Sequence, residues 1–283
     1  MILRKQSDRF WRWAALVAVF LNVMFSYLSG YFMPGNDIGV VTEKYNSLFA
    51  PAGYAFLIWG IIYLSFFCYA VYQLMPSQRR ETLFDCLAKP FIGSNLLGMV
   101  WISVYRMDFI SISTVVILFM LTLAVILYVR VRHVVLRNEQ SSWLSLPFSL
   151  FLGWLSVAAI ANVDILLISL GWMSDLPTQL TTTMVFILVA GLSGVFISYR
   201  CADFIFTSVI SWACVAIFVA HGNAYYSIGA VALMSASLPL VWFILTLSKR
   251  IIYRHRVLAN KFSFDATIRL KLNGQNKLLF GRL

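Results

Sequence analysis

The sequence predicts an all-α fold: a polytopic integral membrane bundle of about eight transmembrane helices with both termini on the cytoplasmic side. Three observations predict it. Hydrophobic residues fill 61% of the 283 positions and charged residues only 12%, with a mean hydropathy of +0.83, where soluble domains carry about 25% charge. Apolar runs long enough to span a bilayer, about 20 residues each, recur along nearly the whole chain. Threaded alternately through a membrane, these runs leave all of the 22 Lys and Arg on one side except Lys44 and Arg106, the asymmetry expected of a cytoplasmic face. The net charge of +11 therefore marks a membrane side and not a nucleic-acid partner.

The spans are expected at Phe10 to Phe32, Ala55 to Leu74, Pro90 to Tyr105, Phe109 to Val129, Trp143 to Leu170, Leu180 to Tyr199, Phe204 to Ala220 and Ser227 to Leu247. The first follows a basic start but is about twice the length of a signal-peptide apolar region and lacks a small-residue cleavage site, so it reads as a retained anchor. Asn22 in it and Asn95 in the third span are buried amides, which usually bond across helices. Residues 33–49 form the longest loop on the outer side, rich in Pro, Gly and Asn; it reads either as a solvated connector or as a lid.

The second span opens with Pro51 and Gly53, suited to starting a helix, and carries Tyr54, Phe56, Trp59 and Tyr63 in its first turns. Trp59 and Tyr63, four apart, share a face. This is an aromatic wall that fits either an interfacial belt or one side of a ligand pocket. The third span is short, and Arg106 to Asp108 leaves only a tight hairpin before the fourth.

In the fifth span Trp154, Ala158 and Asn162 lie on one face among Gly153, Ser156, Ala159 and Ala161, small residues that let membrane helices approach closely. Asp164 is the one acidic residue well inside an apolar segment. It is expected to face the bundle interior, as a neutral acid or paired with a polar group, or else to reach the nearby outer interface. Gly191, Gly194, Ser235, Ala236 and Ser237 mark close-packing faces in the sixth and eighth spans. The segment from Lys249 to Leu283 is too polar to span; its basic residues suit an anionic leaflet, and the stretch around Asn273-Gly274 reads as a hairpin.

These pieces resemble a known family. Pro51-Ala-Gly-Tyr54-Ala-Phe56 with Trp59 and Tyr63, Asn95 and Trp101 in the third span, and Pro147-Phe148 with Trp154, Ala158 and Asn162 in the fifth are similar to the TspO/MBR family of tryptophan-rich sensory or translocator proteins. Gly171-Trp172 and Trp212-Ala213 resemble its longer, multi-span version. Departures are visible: Ala50-Pro51-Ala52 stands where short members have a double proline, the Phe-to-Trp spacing is one residue shorter, and Pro147 lies three residues farther from its Trp. The resemblance implies a five-helix core over residues 1–170, three additional transmembrane helices over 171–248, and a basic cytoplasmic tail over 249–283. It also implies a hydrophobic pocket near one membrane face, closed by the first loop, that binds a tetrapyrrole, a sterol-like lipid or a synthetic ligand.

Topology alone puts Tyr54, Trp59, Trp101, Asn162 and Asp164 in the outer half of the membrane and Trp154 near its middle. The expected ligand-binding set is Pro51, Tyr54, Phe56, Trp59, Tyr63, Asn95, Trp101, Trp154, Ala158, Asn162 and Asp164, with aromatic surface for stacking and a few polar anchors. The leading expectation is a receptor or transporter for a flat hydrophobic molecule in the cell (inner) membrane, in contact with membrane lipids and as a possible homo-oligomer. Alternatives are a proton-coupled transporter titrating on Asp164 and a structural subunit of a membrane complex. Four scattered cysteines and three scattered histidines predict neither a metal nor another cofactor, and without paired carboxylates or a nucleophile beside a base no enzyme is expected.

Overall fold

The computed structural model describes residues 9–137 and 139–248, which form nine α-helices and no strand. They are α1 Arg9–Phe32, α2 Ile38–Lys44, α3 Ile58–Tyr72, α4 Thr82–Arg106, α5 Ile110–Leu136, α6 Leu146–Ser169, α7 Leu176–Cys201, α8 Phe204–His221 and α9 Tyr226–Ser248. All but the short α2 belong to segments long and apolar enough to cross a membrane, so the chain is a multi-pass membrane protein whose spans number as expected. The hairpin expected in the tail lies outside the described residues.

Three of the boundaries that differ from the sequence expectation have a local reason, and the fourth span runs on to Leu136. The second span begins as a 3-10 turn, Gly53–Leu57, and becomes α-helical only at Ile58. The third is not short: α4 starts at Thr82 and runs through Pro90. Proline has no N–H for the carbonyl four residues back, and Arg130 Nη1 of α5 donates to that carbonyl, Cys86 O, at 2.6 Å. The sixth span starts at Leu176, where Asp175 caps the helix by accepting from Thr178 N at 2.9 Å and Pro177 occupies the first turn.

Successive helices run up and down. One end of the bundle gathers residues 33–57 and the α4–α5, α6–α7 and α8–α9 turns; here it is called the roof end. The expected tight hairpin is Met107 to Phe109, with Asp108 in the left-handed region (φ 65°). At the opposite end Arg12, 2% exposed, bonds the Asp85 carboxylate and the carbonyls of Gln73, Gln78 and Glu81, so α1 fastens the connection between α3 and α4. Asn22 Nδ2 donates to Asn95 Oδ1 at 3.0 Å, a cross-helix bond between buried amides. Gly191 lies so close to Ser235 that a Cβ would approach its side chain to 2.8 Å, which is how α7 and α9 come together where burial offers no advantage over lipid.

α3 packs on α1 and α6, and its inner half meets α4 through aromatic side chains, Phe66 and Tyr69 on Phe91 and Tyr69 and Tyr72 on Phe84. Nearer the roof end, Trp59 and Tyr63 of α3 and Gly98 and Trp101 of α4 face a gap between the helices, and this gap is the candidate site.

Candidate functional site: an aromatic cavity under a fastened roof

The gap is a cavity of about 350 Å³ enclosed by α1, α3, α4, α5 and α6. Phe56, Trp59, Tyr63 and Trp101 wall it, Phe66, Met120 and Phe151 floor it, and Asn22, Ser26 and Ser94 supply its deep polar groups. Trp59 and Tyr63 stack at 5.6 Å with ring planes 27° apart, the consequence of their i, i+4 spacing. Phe56, Trp59 and Trp101 also border a second, smaller cavity of about 40 Å³ between α3, α4, α6 and the roof, lined further by Pro51, Trp154, Ala158 and Asn162. Among the described residues no charged side chain lines either space. The larger volume lies at the low end of the range, about 300–1,000 Å³, that small-molecule sites occupy.

Nine of the eleven sequence-predicted residues thus meet around the two cavities, counting Asn95, which stands behind Asn22. Tyr54 and Asp164 do not. The Tyr54 ring is turned to α8, edge-on to Trp212 at 5.2 Å. Asp164 is fully buried, and its carboxylate accepts from Ser47 Oγ at 2.5 Å, so it ties the roof to α6. Asn162 lines the smaller cavity, yet its amide is engaged within the protein: Trp101 Nε1 donates to Oδ1 at 2.8 Å and Nδ2 donates to Ser113 Oγ at 3.0 Å.

The hydrogen bonds orient what remains. Asn95 Nδ2 donates to Phe91 O at 2.9 Å, so its Oδ1 must accept from Asn22 Nδ2, which leaves Asn22 Oδ1 without a partner among the described residues. Ser26 Oγ donates to Asn22 O at 2.7 Å, so Tyr63 must be the donor in its 2.8 Å contact with Ser26 Oγ. The deep polar groups therefore present acceptors. Sequence reasoning saw Asn22 only as an interhelical bond and missed Ser26, Phe66, Gly98, Met120 and Phe151. The Asn22–Ser26 spacing of i, i+4 was the available signal for two of them.

The roof is fastened on three sides. Toward α4 and the hairpin, Asn36 N donates to Arg106 O at 3.0 Å, Arg106 pairs with Asp37 at 2.8 Å, Thr42 and Tyr105 share a hydroxyl bond of 2.9 Å, and Asp108 accepts from Lys44 and from Tyr45. Gly35, at φ 112°, passes so close to the Arg106 carbonyl that a Cβ would collide with it. Toward α6 there is Ser47 on Asp164. Toward α8, Ala52 N donates to Ala216 O at 3.1 Å, Trp212 Nε1 to Ala55 O at 3.4 Å, and His221 Nε2 lies 2.9 Å from Ala50 O. Burial pushes the Asp108 carboxyl up, but the bonds from Lys44 and Tyr45 outweigh it and hold the group below the usual carboxylate range. The bond to Asp108 in turn raises the Lys44 ammonium.

Fold and cavity together define a polytopic helical membrane protein with an uncharged, aromatic-walled space within the bundle. The family model described as TSPO-like protein matches residues 12–246, and the chain belongs to that family. No curated protein and no solved structure matches it.

Proposed function

We propose that the protein binds a flat, largely apolar small molecule, of the tetrapyrrole or sterol-like class, in the larger cavity, as a receptor or carrier and without catalysing a reaction on it. The single observation behind this reading is the 350 Å³ space whose wall is formed by Phe56, Trp59, Tyr63 and Trp101 and which, among the described residues, no charged side chain lines. Aromatic faces offer stacking worth about 0.5–1.5 kcal/mol per pair beyond burial. Trp59, Tyr63 and Trp101 supply the stacking surface in this reading. Pro51, Trp154, Ala158 and Asn162 shape the smaller space behind them, and Asn95 holds Asn22. The roof faces the extracytoplasmic side of the cell membrane in this reading, because among the described residues every Lys and Arg except Lys44 and Arg106 belongs to the opposite half.

Protoporphyrin IX dimethyl ester, which carries no ionised group, titrated into proteoliposomes and followed by its own absorbance, tests the reading. Trp59→Ala is expected to raise the Kd about tenfold, a loss of roughly 1.4 kcal/mol. Identical curves for the two proteins would end it.

One observation favours a second reading, proton-coupled transport: Asp164 is wholly buried, and Ser47 is its one hydrogen-bond donor among the described residues. Groups of this kind are costly in a membrane interior and often serve proton relays. Uptake lost in Asp164→Asn with porphyrin binding intact would select it.

A further inference from the structure

The larger cavity has a mouth, and the roof is not it. Its deep wall is closed by Phe66, Met120 and Phe151, and the roof end is held by bonds to α4, the α4–α5 hairpin, α6 and α8. The remaining side lies between α1 and α3, beside the last residue of the 3-10 turn, where the lining residues Tyr27 of α1, Leu57 of that turn and Gly60 of α3 are exposed, Tyr27 by 60% and Leu57 by 74%. Their neighbours on the same two helices, Met24 and Leu28, Ile61 and Leu64, are exposed and apolar as well. In a spanning helix such a face meets hydrocarbon, not water. The gap is narrowed by Tyr27, whose ring stands edge-on to Tyr63 at 6.4 Å, and kept open by Gly60. A Cβ on Gly60 would have a single neighbour within 4 Å, the Tyr27 hydroxyl at 3.9 Å, so a side chain there starts into the gap with its Cβ in open space.

From this we infer that the site fills sideways from the bilayer, through the α1–α3 gap between Tyr27 and Gly60, and that its ligand is an uncharged molecule dissolved in the membrane. The inference rests on the proposed binding function and narrows it. An ionised ligand arriving by this route would lose its hydration in hydrocarbon and find no counter-charge in the lining, a cost that insertion scales put at about 2.5–3.5 kcal/mol per charge even for side chains on a helix. A molecule with one hydroxyl or N–H donor instead meets the acceptors on the deep wall, the hydroxyls of Ser26 and Ser94, whose own protons go to the carbonyls of Asn22 and Phe91, and leaves its apolar body against the aromatic rings. The roof then acts as a fixed ceiling.

Proteoliposomes holding 1-pyrenemethanol in the lipid phase, read by stopped-flow energy transfer from Trp to pyrene, test the route. The association rate of the wild-type protein is expected to follow the mole fraction of probe in the lipid. Gly60→Leu should slow it at least tenfold, and Tyr27→Ala, which widens the gap, should speed it, a gain that misfolding cannot mimic. Asp108→Asn, which weakens two roof bonds, should leave it within twofold. 1-Pyrenecarboxylate, ionised at neutral pH, should bind at least tenfold more weakly than the alcohol at equal loading. Unchanged association in both gap variants, or faster association in Asp108→Asn, overturns the lateral route; equal binding of the carboxylate overturns the restriction to uncharged ligands. Absence of any transfer from the wild-type protein removes the binding function itself and the route with it.

Discussion

Lys44 and Arg106 are the two cations that the charge asymmetry leaves on the roof side, and each has an acidic partner there: Asp108 for Lys44 and Asp37 for Arg106. Arg106 is 8% exposed, so at that residue the partner neutralises a charge largely removed from water. The Asp108 carboxyl is held below its ordinary range, so its contribution to the roof is complete above the unfolded value, about 4, and is lost as pH falls through the still lower folded one. The Asp108 contribution, read as the difference in thermal midpoint between wild type and Asp108→Asn, is expected to be flat from about pH 7 to 5 and to fall away below about pH 4. Asp108→Asn should start lower at neutral pH and show a shallower drop. Parallel curves for the two proteins would mean that the Lys44 and Tyr45 bonds to Asp108 contribute nothing measurable.

At the scale of one helix, α4 shows how a span tolerates an internal proline. Pro90 leaves the Cys86 carbonyl without its usual donor, and Arg130 from the next helix supplies one. The two positions should therefore be coupled. Arg130→Ala is expected to destabilise the protein by about 1 kcal/mol, the net worth of a typical intramolecular hydrogen bond, and by less in a Pro90→Ala background, where the helix can satisfy the carbonyl itself. A double-mutant cycle on detergent-solubilised protein reads this directly; additive effects would show that Arg130 does not serve that carbonyl.

At the scale of the molecule, α7, α8 and α9 are more than an appendage to the first five spans. α8 contributes three bonds to residues 50–55, and at the other end Asp203, capping α8, accepts from Ser149 of α6 at 2.6 Å, while Arg132 of α5 reaches the carbonyls of Cys201 and Ala202. A chain ending at residue 170 is expected to insert in the membrane but to melt well below the full chain, with the amides of residues 46–57 exchanging faster. Equal protection of that segment would show that α6 and the hairpin hold the roof unaided.

Much of this fold was legible in the sequence because each of its determinants is local. Length and hydropathy of a run decide whether a helix spans, the placement of Lys and Arg decides the threading, and a spacing of four decides that Trp59 and Tyr63 stack. The family likeness was legible too, since it rests on residue order along five spans. The start of α4 was not: Pro90 looks like a beginning, and only the Arg130 side chain, 40 positions on, lets the helix pass through it. Nor could sequence show that Asn162 turns its amide to Trp101 and Ser113, that Asp164 meets Ser47, or that the roof is fastened and the α1–α3 gap is open. In α3, α5 and α6 the face toward protein and the face toward lipid are both apolar, because hydrocarbon and a protein interior reward the same side chains. Composition therefore carries no sign of how each helix is rotated, and the packing of helix on helix alone decides which residues surround the cavity.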